Sequence, residues 1–502
     1  MALNSVKEIG ANHLSTDVLV VGAGPTGLTL ACDLERRGVR ALVVERAAGL
    51  FPGSRGKGIQ PRTLEIFDDL GVIGAVLESG GPAPVGMVWR GGVRQGEYRM
   101  FDEPEPSDSA PFAGPLLLPQ WRTQEILYAR LTELGGSVAF GAEVTGLDQD
   151  ADGVTARLAG GGTVRAAYAV AADGGRSAVR RALGIGMTGE TVDPQPMLVA
   201  DIRIAEGALD RDNWHVFPPD DAEADVTGGA AGAGGFAAIC PLPGTPDFQV
   251  VARFTDGGEP DLSPDGVRKA VAARTHLPAD AVTEVRWASD FRPRAALADA
   301  FRAGRVFLAG DAAHVHSPAG GQGLNTSVQD AYNLGWKLGA ALRHGADPAL
   351  LDTYEEERRP NAARMLELST RIHQGAARRG AATRQLGLGY RDSSLSLHTS
   401  TGASDITPRA GDRAPDAPLG AGRLFDAFRG PHFTLLAVAT DTELPLLNGD
   451  LTHVHRMDQC ALYAPGLYLI RPDGYIAWTG RDEEGLRKYL TSTKLEVLRS
   501  YT

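Results

Sequence analysis

Three short segments place glycines and a carboxylate where an apolar run ends, a combination suited to holding a phosphorylated cofactor. In the first, the run DVLVV at 17–21 opens onto Gly22, Gly24 and Gly27, spaced GxGxxG, with Pro25 and Thr26 inside the motif. Gly22 permits a tight turn, Gly24 lets the backbone approach a pyrophosphate, and Gly27 lets helix and strand pack closely. The stretch PTGLTLACDLERRG at 25–38 has apolar residues at helical spacing, Pro25 near its start and Gly38 at its end. A helix there offers unpaired N–H groups to phosphate. The run ALVVE at 41–45 reads as a second buried strand and ends in Glu45, an acid able to accept two hydrogen bonds from a ribose diol.

The motif alone means little. In a chain with 63 glycines, GxGxxG arises about once by chance. Gly184, Gly186 and Gly189 match it too, but they follow a helix-like run and open no helix. The second segment, YAVAADGGRSAVR at 168–180, runs an apolar strand into Asp173-Gly174. The third, RVFLAGDAAHVHSPAGGQGLN at 305–325, runs one into Gly310-Asp311 and then a glycine-rich loop. Each of these two carboxylates alone reads equally well as a helix cap. Their order behind GxGxxG points to a dinucleotide held by distant segments folded onto one site. His314 and His316 lie two apart in the third segment without the further ligands a metal would need, so packing or hydrogen bonding beside the cofactor is their expected role, with proton transfer as an alternative.

Strand, glycine turn, helix and strand form a βαβ unit, so a parallel sheet is expected. Helices are predicted over 25–38, 59–70, 121–134, 326–345, 352–377 and near 483–490. Strands are predicted around 143–147, 153–158, 163–171 and 305–309. Residues 190–290 change texture, with short apolar runs between Gly- and Pro-rich turns, and read as a β-rich layer. Within it, Trp214, Phe217 and Phe236 are candidates for pocket lining or for core. The stretch 227–235 reads as mobile, the first sixteen residues as a loose leader, and the charge run EEERR at 355–359 as a solvated helix face.

The chain has 502 residues, enough for about three domains. Its net charge of −12 repels phosphate backbones, which argues against a nucleic-acid partner. No apolar run approaches the ~18 residues of a membrane span. Cys32, Cys240 and Cys460 are far apart, which argues against a disulfide framework, a zinc site or a thiol redox pair. A reducing cytoplasm is the expected setting.

The order GxGxxG, then DG, then GD resembles the para-hydroxybenzoate-hydroxylase-type (class A) FAD-dependent monooxygenases, and among them the aromatic polyketide hydroxylases and rifampicin-type monooxygenases. The likeness covers most of 16–370 and is most specific in GRVFLAGDAAHVHSPAGGQGLNTSVQDAYNLGWKL; a weaker one lies in LYLIRPDGYIAWTG. It implies an α/β fold: a Rossmann-like FAD-binding domain, an inserted β-sheet substrate domain and a C-terminal thioredoxin-like domain without redox cysteines. The expected limits are 16–187 for the first part of the FAD domain, with an excursion toward substrate at 86–114. The β-rich domain then spans 188–299, the second FAD part 300–375, a linker 376–415 and the C-terminal domain 416–502.

The resemblance also implies roles. Asp311 contacts the ribityl or pyrophosphate region, and Asp173 lies near the FAD in a motif linked to NAD(P)H use. Arg46 faces the adenosine or pyrophosphate, and Val144 gives backbone contacts near the adenine. Arg55 reaches the cofactor and Gln120 lies beside the flavin. Gly320, Gly321, Gly323, Leu324 and Asn325 run along the isoalloxazine ring, whose reduced form a helix N-terminus stabilises. Pro318 places a carbonyl near the substrate. The implied chemistry is NADPH or NADH reducing the FAD, and dioxygen adding as a C4a-hydroperoxide that oxygenates a bulky aromatic substrate. That chemistry needs no protein nucleophile or metal. A Baeyer–Villiger or antibiotic-inactivating monooxygenase and a non-catalytic aromatic-ligand binder stay open as alternatives, as does homo-oligomerisation.

Overall fold

The computed structural model describes residues 13–101, 105–219, 235–254, 258–398, 408–444, 447–493 and 495–498. Most of the expected leader and of the 227–235 stretch lies outside them. The first strand, His13–Val21, begins four residues earlier than the apolar run suggested. It continues because Thr163–Ala171 pairs with it in parallel from His13↔Thr163 to Val21↔Ala171.

Around that strand an eight-stranded sheet forms. Its main path runs Arg302–Ala303, Val306–Leu308, Thr163–Ala171, His13–Val21, Ala41–Glu45, Ser137–Phe140. The four central pairings are all parallel. These strands are near-continuous apolar runs because helices cover both faces. Pro25–Glu35 packs against Gly323–Arg343 on one side. There Gly335 is needed, since a Cβ would lie 2.1 Å from an Asp33 carboxylate oxygen.

A second sheet has seven strands in the order Val282–Phe291, Met197–Ile204, Phe248–Arg253, Ala237–Pro241, Asn213–Phe217, Val85–Arg90, Val93–Tyr98. The hairpin 85–98 leaves the first layer to extend it, pairing in parallel with Asn213–Phe217. One face packs on the helix Pro264–Ala272; the other meets the first layer through residues 51–57.

A third, five-stranded sheet is built on Phe433–Val438, Thr452–Met457, Gly466–Ile470 and Ile476–Gly480, with the helix Glu483–Ser492 beside it. Its fifth strand, Leu397–His398, comes from the segment expected as a linker. That expectation needs correcting. Thr383, Gln385, Leu388, Tyr390, Ser393 and Leu395 are all buried. The polar composition misled because these side chains satisfy buried groups rather than water. Gln385 donates to Gln322 (2.7 Å), Ser393 donates to Glu357 (2.7 Å), and Tyr390 accepts from Arg358 (3.0 Å).

The charge run at 355–359 is corrected in the same way. Glu357 and Arg358 point inward from the helix Thr353–His373 and are 3% and 0% exposed. Glu357 accepts from Lys337 (2.7 Å), Asn333 (2.7 Å), Ser393 (2.7 Å) and twice from Arg471 (2.6 and 2.9 Å). Among the described residues, no helix is long and apolar enough to cross a membrane.

Candidate active site

In a parallel sheet every strand ends on the same edge, and ligands bind there. The registers Val21↔Ala171, Val21↔Val44 and Ala171↔Leu308 therefore bring Gly22, Glu45, Asp173 and Gly310-Asp311 to one rim. Three segments far apart in sequence become neighbours for that reason.

The glycine loop is built as its spacing required. Gly22 has φ +109° and a Cβ there would sit 2.4 Å from the Ala172 carbonyl oxygen; a Cβ on Gly27 would sit 2.0 Å from the Gly22 carbonyl oxygen. Gly24 faces open space, as a position reserved for a ligand should. It caps the helix Pro25–Glu35 with no side-chain bond, Pro25 following and no acid in the first turn. The helix N-terminus thus stays free for an anion. The Glu45 carboxylate accepts from Ala23 N and Ala47 N, each at 2.9 Å, which fixes it beside the loop with lone pairs to spare. Arg46 is exposed next to it. Val144 is buried where the chain returns past Glu45, whose carbonyl accepts from Ala142 N at 2.8 Å. Gly184, Gly186 and Gly189 leave the helix Ala178–Ala182 and enter the strand Met187–Thr191, the wrong order for phosphate binding.

Asp173 uses one carboxylate oxygen to cap Ala178 N (2.8 Å); the other is buried without a partner. Gly310 has φ +63° and packs against Thr26, whose hydroxyl lies 2.5 Å from where a Cβ would stand. Asp311 beside it is accessible, yet burial of its surroundings pushes its carboxyl up, with His314 and Arg55 opposing the rise. A side chain both accessible and desolvated lines a deep cleft. Arg55 lies over the Phe51 ring at 4.9 Å.

From Arg55 the site continues without a break. Gly56 N donates to the Gln120 side chain (3.0 Å), at the start of the helix Gln120–Glu133. Gln120 and Leu324 both come within 3.6 Å of a Cβ built on Gly56. Asn325 ties this segment to the glycine-rich loop, accepting from Gln60 N (2.8 Å) and donating to the carbonyls of Gly58 (2.9 Å) and Gly321 (2.8 Å). Gly320 and Gly321 have φ +83° and +65°, and Gly323 starts the helix Gly323–Arg343. Pro318 is exposed, its carbonyl accepting from Gly321 N at 3.2 Å. Replacing Asn325 by alanine removes three bonds that align residues 58–60 with the glycine-rich loop. Flavin affinity is expected to fall about tenfold or more, at roughly 1 kcal/mol for each bond. Dialysis against limiting FAD, followed by the flavin-to-protein ratio, measures it.

Behind the loop lies a cluster that sequence spacing did not disclose. His314 Nε2 meets Asp330 Oδ2 at 2.5 Å, Arg358 Nε meets Asp330 Oδ1 at 2.7 Å, and Gly310 N donates to Asp330 at 3.0 Å. Burial works against the Asp330 carboxylate, but His314 and Arg358 hold it below the usual range. His316 lies 3.0 Å from His314 and is kept neutral by burial. The two histidines thus hydrogen-bond behind the cofactor loop. Asp330 sits in the quoted QDAYNLGWKL run, but only the fold shows that it faces His314.

The sheet face opposite this rim carries a row of cross-strand partners: Trp287, Asp201, Gln249 and Cys240, with Trp214, Gly86 and Tyr98 on the next strands. Phe51 and Gly53 pack on Trp287, Gln249 donates to the Ser54 carbonyl, and Lys57 donates to Gln249. Of the three aromatic candidates, Trp214 and Phe236 are half-buried. Phe217 points to the other face, into the core against Trp89.

Comparison with known proteins agrees with this geometry. Residues 15–369 match the FAD binding domain family and residues 407–494 the aromatic-ring hydroxylase C-terminal family. The chain is 44% identical over 485 residues to a flavin-dependent monooxygenase of Mycobacteroides abscessus, covering 94% of this chain and 99% of that one. It is 36% identical over 507 residues to the 12-dehydrotetracycline 5-monooxygenase/anhydrotetracycline 6-monooxygenase of Streptomyces rimosus, covering 93% and 96%. The crystal structure of aklavinone-11 hydroxylase with FAD and aklavinone superposes with a TM-score of 0.80 at 30% identity, covering 96% and 99%. A glycine loop, two acid-tipped strands and a family match spanning most of the chain thus agree: this protein belongs to the FAD-dependent aromatic-ring hydroxylases and is a flavoprotein monooxygenase.

Proposed function

We propose that this monooxygenase is a single-component hydroxylase that takes electrons from NADPH or NADH and places one oxygen atom of dioxygen on a bulky, polyketide-like aromatic ring. The observation that carries the reading is the unbroken rim from Gly22 and Glu45 through Asp311 and Arg55 to Gln120 and Asn325, facing a sheet whose inner row is partly aromatic. That rim has the features an extended dinucleotide needs: an uncapped helix N-terminus, open space at Gly24 and a buried unpartnered Asp173 oxygen. FAD, when bound, supplies the redox chemistry.

The chain's own residues do the rest. The N–H groups after Gly24 hold the pyrophosphate while Glu45, Arg46 and Val144 hold the adenosine. Asp173, Asp311 and Arg55 take the middle of the cofactor. Gln120 and the loop from Gly320 to Asn325 hold the ring system, whose added negative charge on reduction the helix N-terminus favours. Pro318 and the row on the facing sheet set where an aromatic ring lies. The 416–502 unit is read as a thioredoxin-like domain without redox cysteines, serving as a brace. No second strand–GxGxxG–helix unit occurs among the described residues, so the nicotinamide is held transiently at the flavin. The hydroxylase reading is preferred over carbonyl-side oxygen insertion because the similar structures include an anhydrotetracycline hydroxylase and aklavinone-11 hydroxylase.

The test is to mix FAD-loaded protein anaerobically with NADPH or NADH, with and without polycyclic phenols, and to watch the flavin spectrum. Bleaching that a phenol accelerates, followed in air by a product heavier by one oxygen, is the expected result. A bound flavin that neither nicotinamide reduces, whatever phenol is present, would sink the single-component reading.

A further inference from the structure

One end of the sheet row carries two cations that form no ion pair among the described residues. Lys57 donates to the neutral Gln249 amide and lies 4.3 Å over the Trp214 ring. Arg379 lies 5.6 Å over the Phe101 ring. Among the described residues, no carboxylate comes within ion-pairing distance of either. Trp214 pairs across strands with Gly86, and Gly86 with Tyr98, three residues before Phe101, so both cations lie at one end of this sheet. Both are half-exposed, as are Trp214, Tyr98 and Phe101 around them. Burial depresses both groups, Lys57 and Arg379 alike, so each sits where water screens it poorly. Asp201, which attracts Lys57 from farther along the row, offsets at most one of the two charges, and burial pushes its own carboxyl up to about 6.

Poorly solvated cations without a full counter-charge are costly, and a ligand that carries one offsets that cost. The aromatic neighbours fit the rest of such a ligand: Trp214 and Phe101 are flat apolar surfaces, and the Tyr98 ring lies over Gly86, where a Cβ would come within 2.3 Å of it. The chain reaches this arrangement from three directions. Lys57 follows the Arg55 segment, Trp214 and Tyr98 lie on the second sheet, and Arg379 comes from the segment after the helix Thr353–His373.

Resting on the monooxygenase reading above, we infer that the substrate is an anionic aromatic compound, a flat polycycle whose carboxylate or comparably acidic group is received between Lys57 and Arg379. The charge sets which substrates enter; the flavin side sets which carbon reacts.

The probes are anthraquinone-2-carboxylate and anthraquinone-2-carboxamide, alike in shape and different in charge. Each is titrated into the FAD-loaded enzyme, with perturbation of the flavin spectrum as the readout. The wild type is expected to bind the carboxylate about tenfold or more tightly than the carboxamide, the size of a charge-assisted hydrogen bond. Arg379→Gln and Lys57→Gln should each shrink that ratio, weakening the carboxylate more than the carboxamide. Arg379→Lys should keep most of the preference. A purely structural role for these side chains would lower both affinities together and overturn the inference. So would a wild-type ratio at or below one, or a failure of the carboxylate to bind. Reduction by NADPH on the same samples separates the two readings. Intact reduction without a preference for the anion overturns the inference alone, whereas loss of reduction strikes at the single-component hydroxylase reading beneath it.

Discussion

Replacing Gly27 by alanine is expected to strip the flavin from the protein. The new Cβ would stand 2.0 Å from the Gly22 carbonyl oxygen and 3.2 Å from the Val20 side chain. Both neighbours belong to the central strand and the turn that follows it, so neither yields as a flexible side chain would. The helix must move away from the sheet, and with it the N–H groups that face the phosphates. Overpacking of this depth costs about 3 kcal/mol, at the upper end for an added methyl. If half or more of that falls on the bound state, flavin affinity drops tenfold to about a hundredfold. The flavin-to-protein ratio after gel filtration reads the effect directly, and thermal melting in excess FAD shows whether the fold survives. Gly24→Ala is the contrasting case: its Cβ meets no protein atom, so melting of the flavin-free protein should barely change while flavin binding weakens. A Gly27→Ala protein with full flavin content would contradict the packing account.

The second large effect is expected at Glu357→Gln. The wild-type carboxylate neutralises Lys337 and Arg471, both fully buried, and joins the helix Thr353–His373 to Gly323–Arg343 and to the third sheet. Arg471 also pairs with Asp473 (2.5 Å), to which Trp336 and Asn333 donate. The amide keeps the shape but leaves two cations sharing one counter-charge. Removing one partner from a buried ion network costs about 3–5 kcal/mol. Melting temperature should fall sharply, with the third sheet separating first.

The pH dependence has a definite sign. Burial opposes the Glu357 carboxylate, but Arg471 and Lys337 outweigh it and hold its pKa well below the ordinary carboxylate range. A group depressed on folding adds stability above its unfolded value, about 4.3 for a glutamate. That stability is lost as pH falls through the folded value. The gap in melting temperature between wild type and Glu357→Gln should therefore be full at neutral pH and narrow steadily below about pH 4. A gap independent of pH would mean that the side chain acts through packing alone.

Local chemistry made the cofactor legible from the chain itself. GxGxxG, the Asp173-Gly174 pair and Gly310-Asp311 are turns that must form wherever the flanking strands form, because positive φ and close approach admit little but glycine at Gly22 and Gly310. Apolar periodicity likewise disclosed the central strands and the long helices to within a few residues. The charges were not legible in this way. Glu357 and Arg358 read as part of a solvated helix face because burial of a charge depends on a partner, and their partners Arg471 and Tyr390 lie 114 and 32 residues away. The apparent linker misled for the same reason, its polar side chains being matched to those charges. The alignment of Lys57, Trp214 and Arg379 came from tertiary structure too, since strand register and the path of residues 51–57 across the sheet decide which side chains share a face. Sequence alone pointed to a dinucleotide and to the three turns that the sheet brings to one rim. Tertiary structure decided what braces that site and which charges look into it, because electrostatic partners are chosen by distance in space and not along the chain.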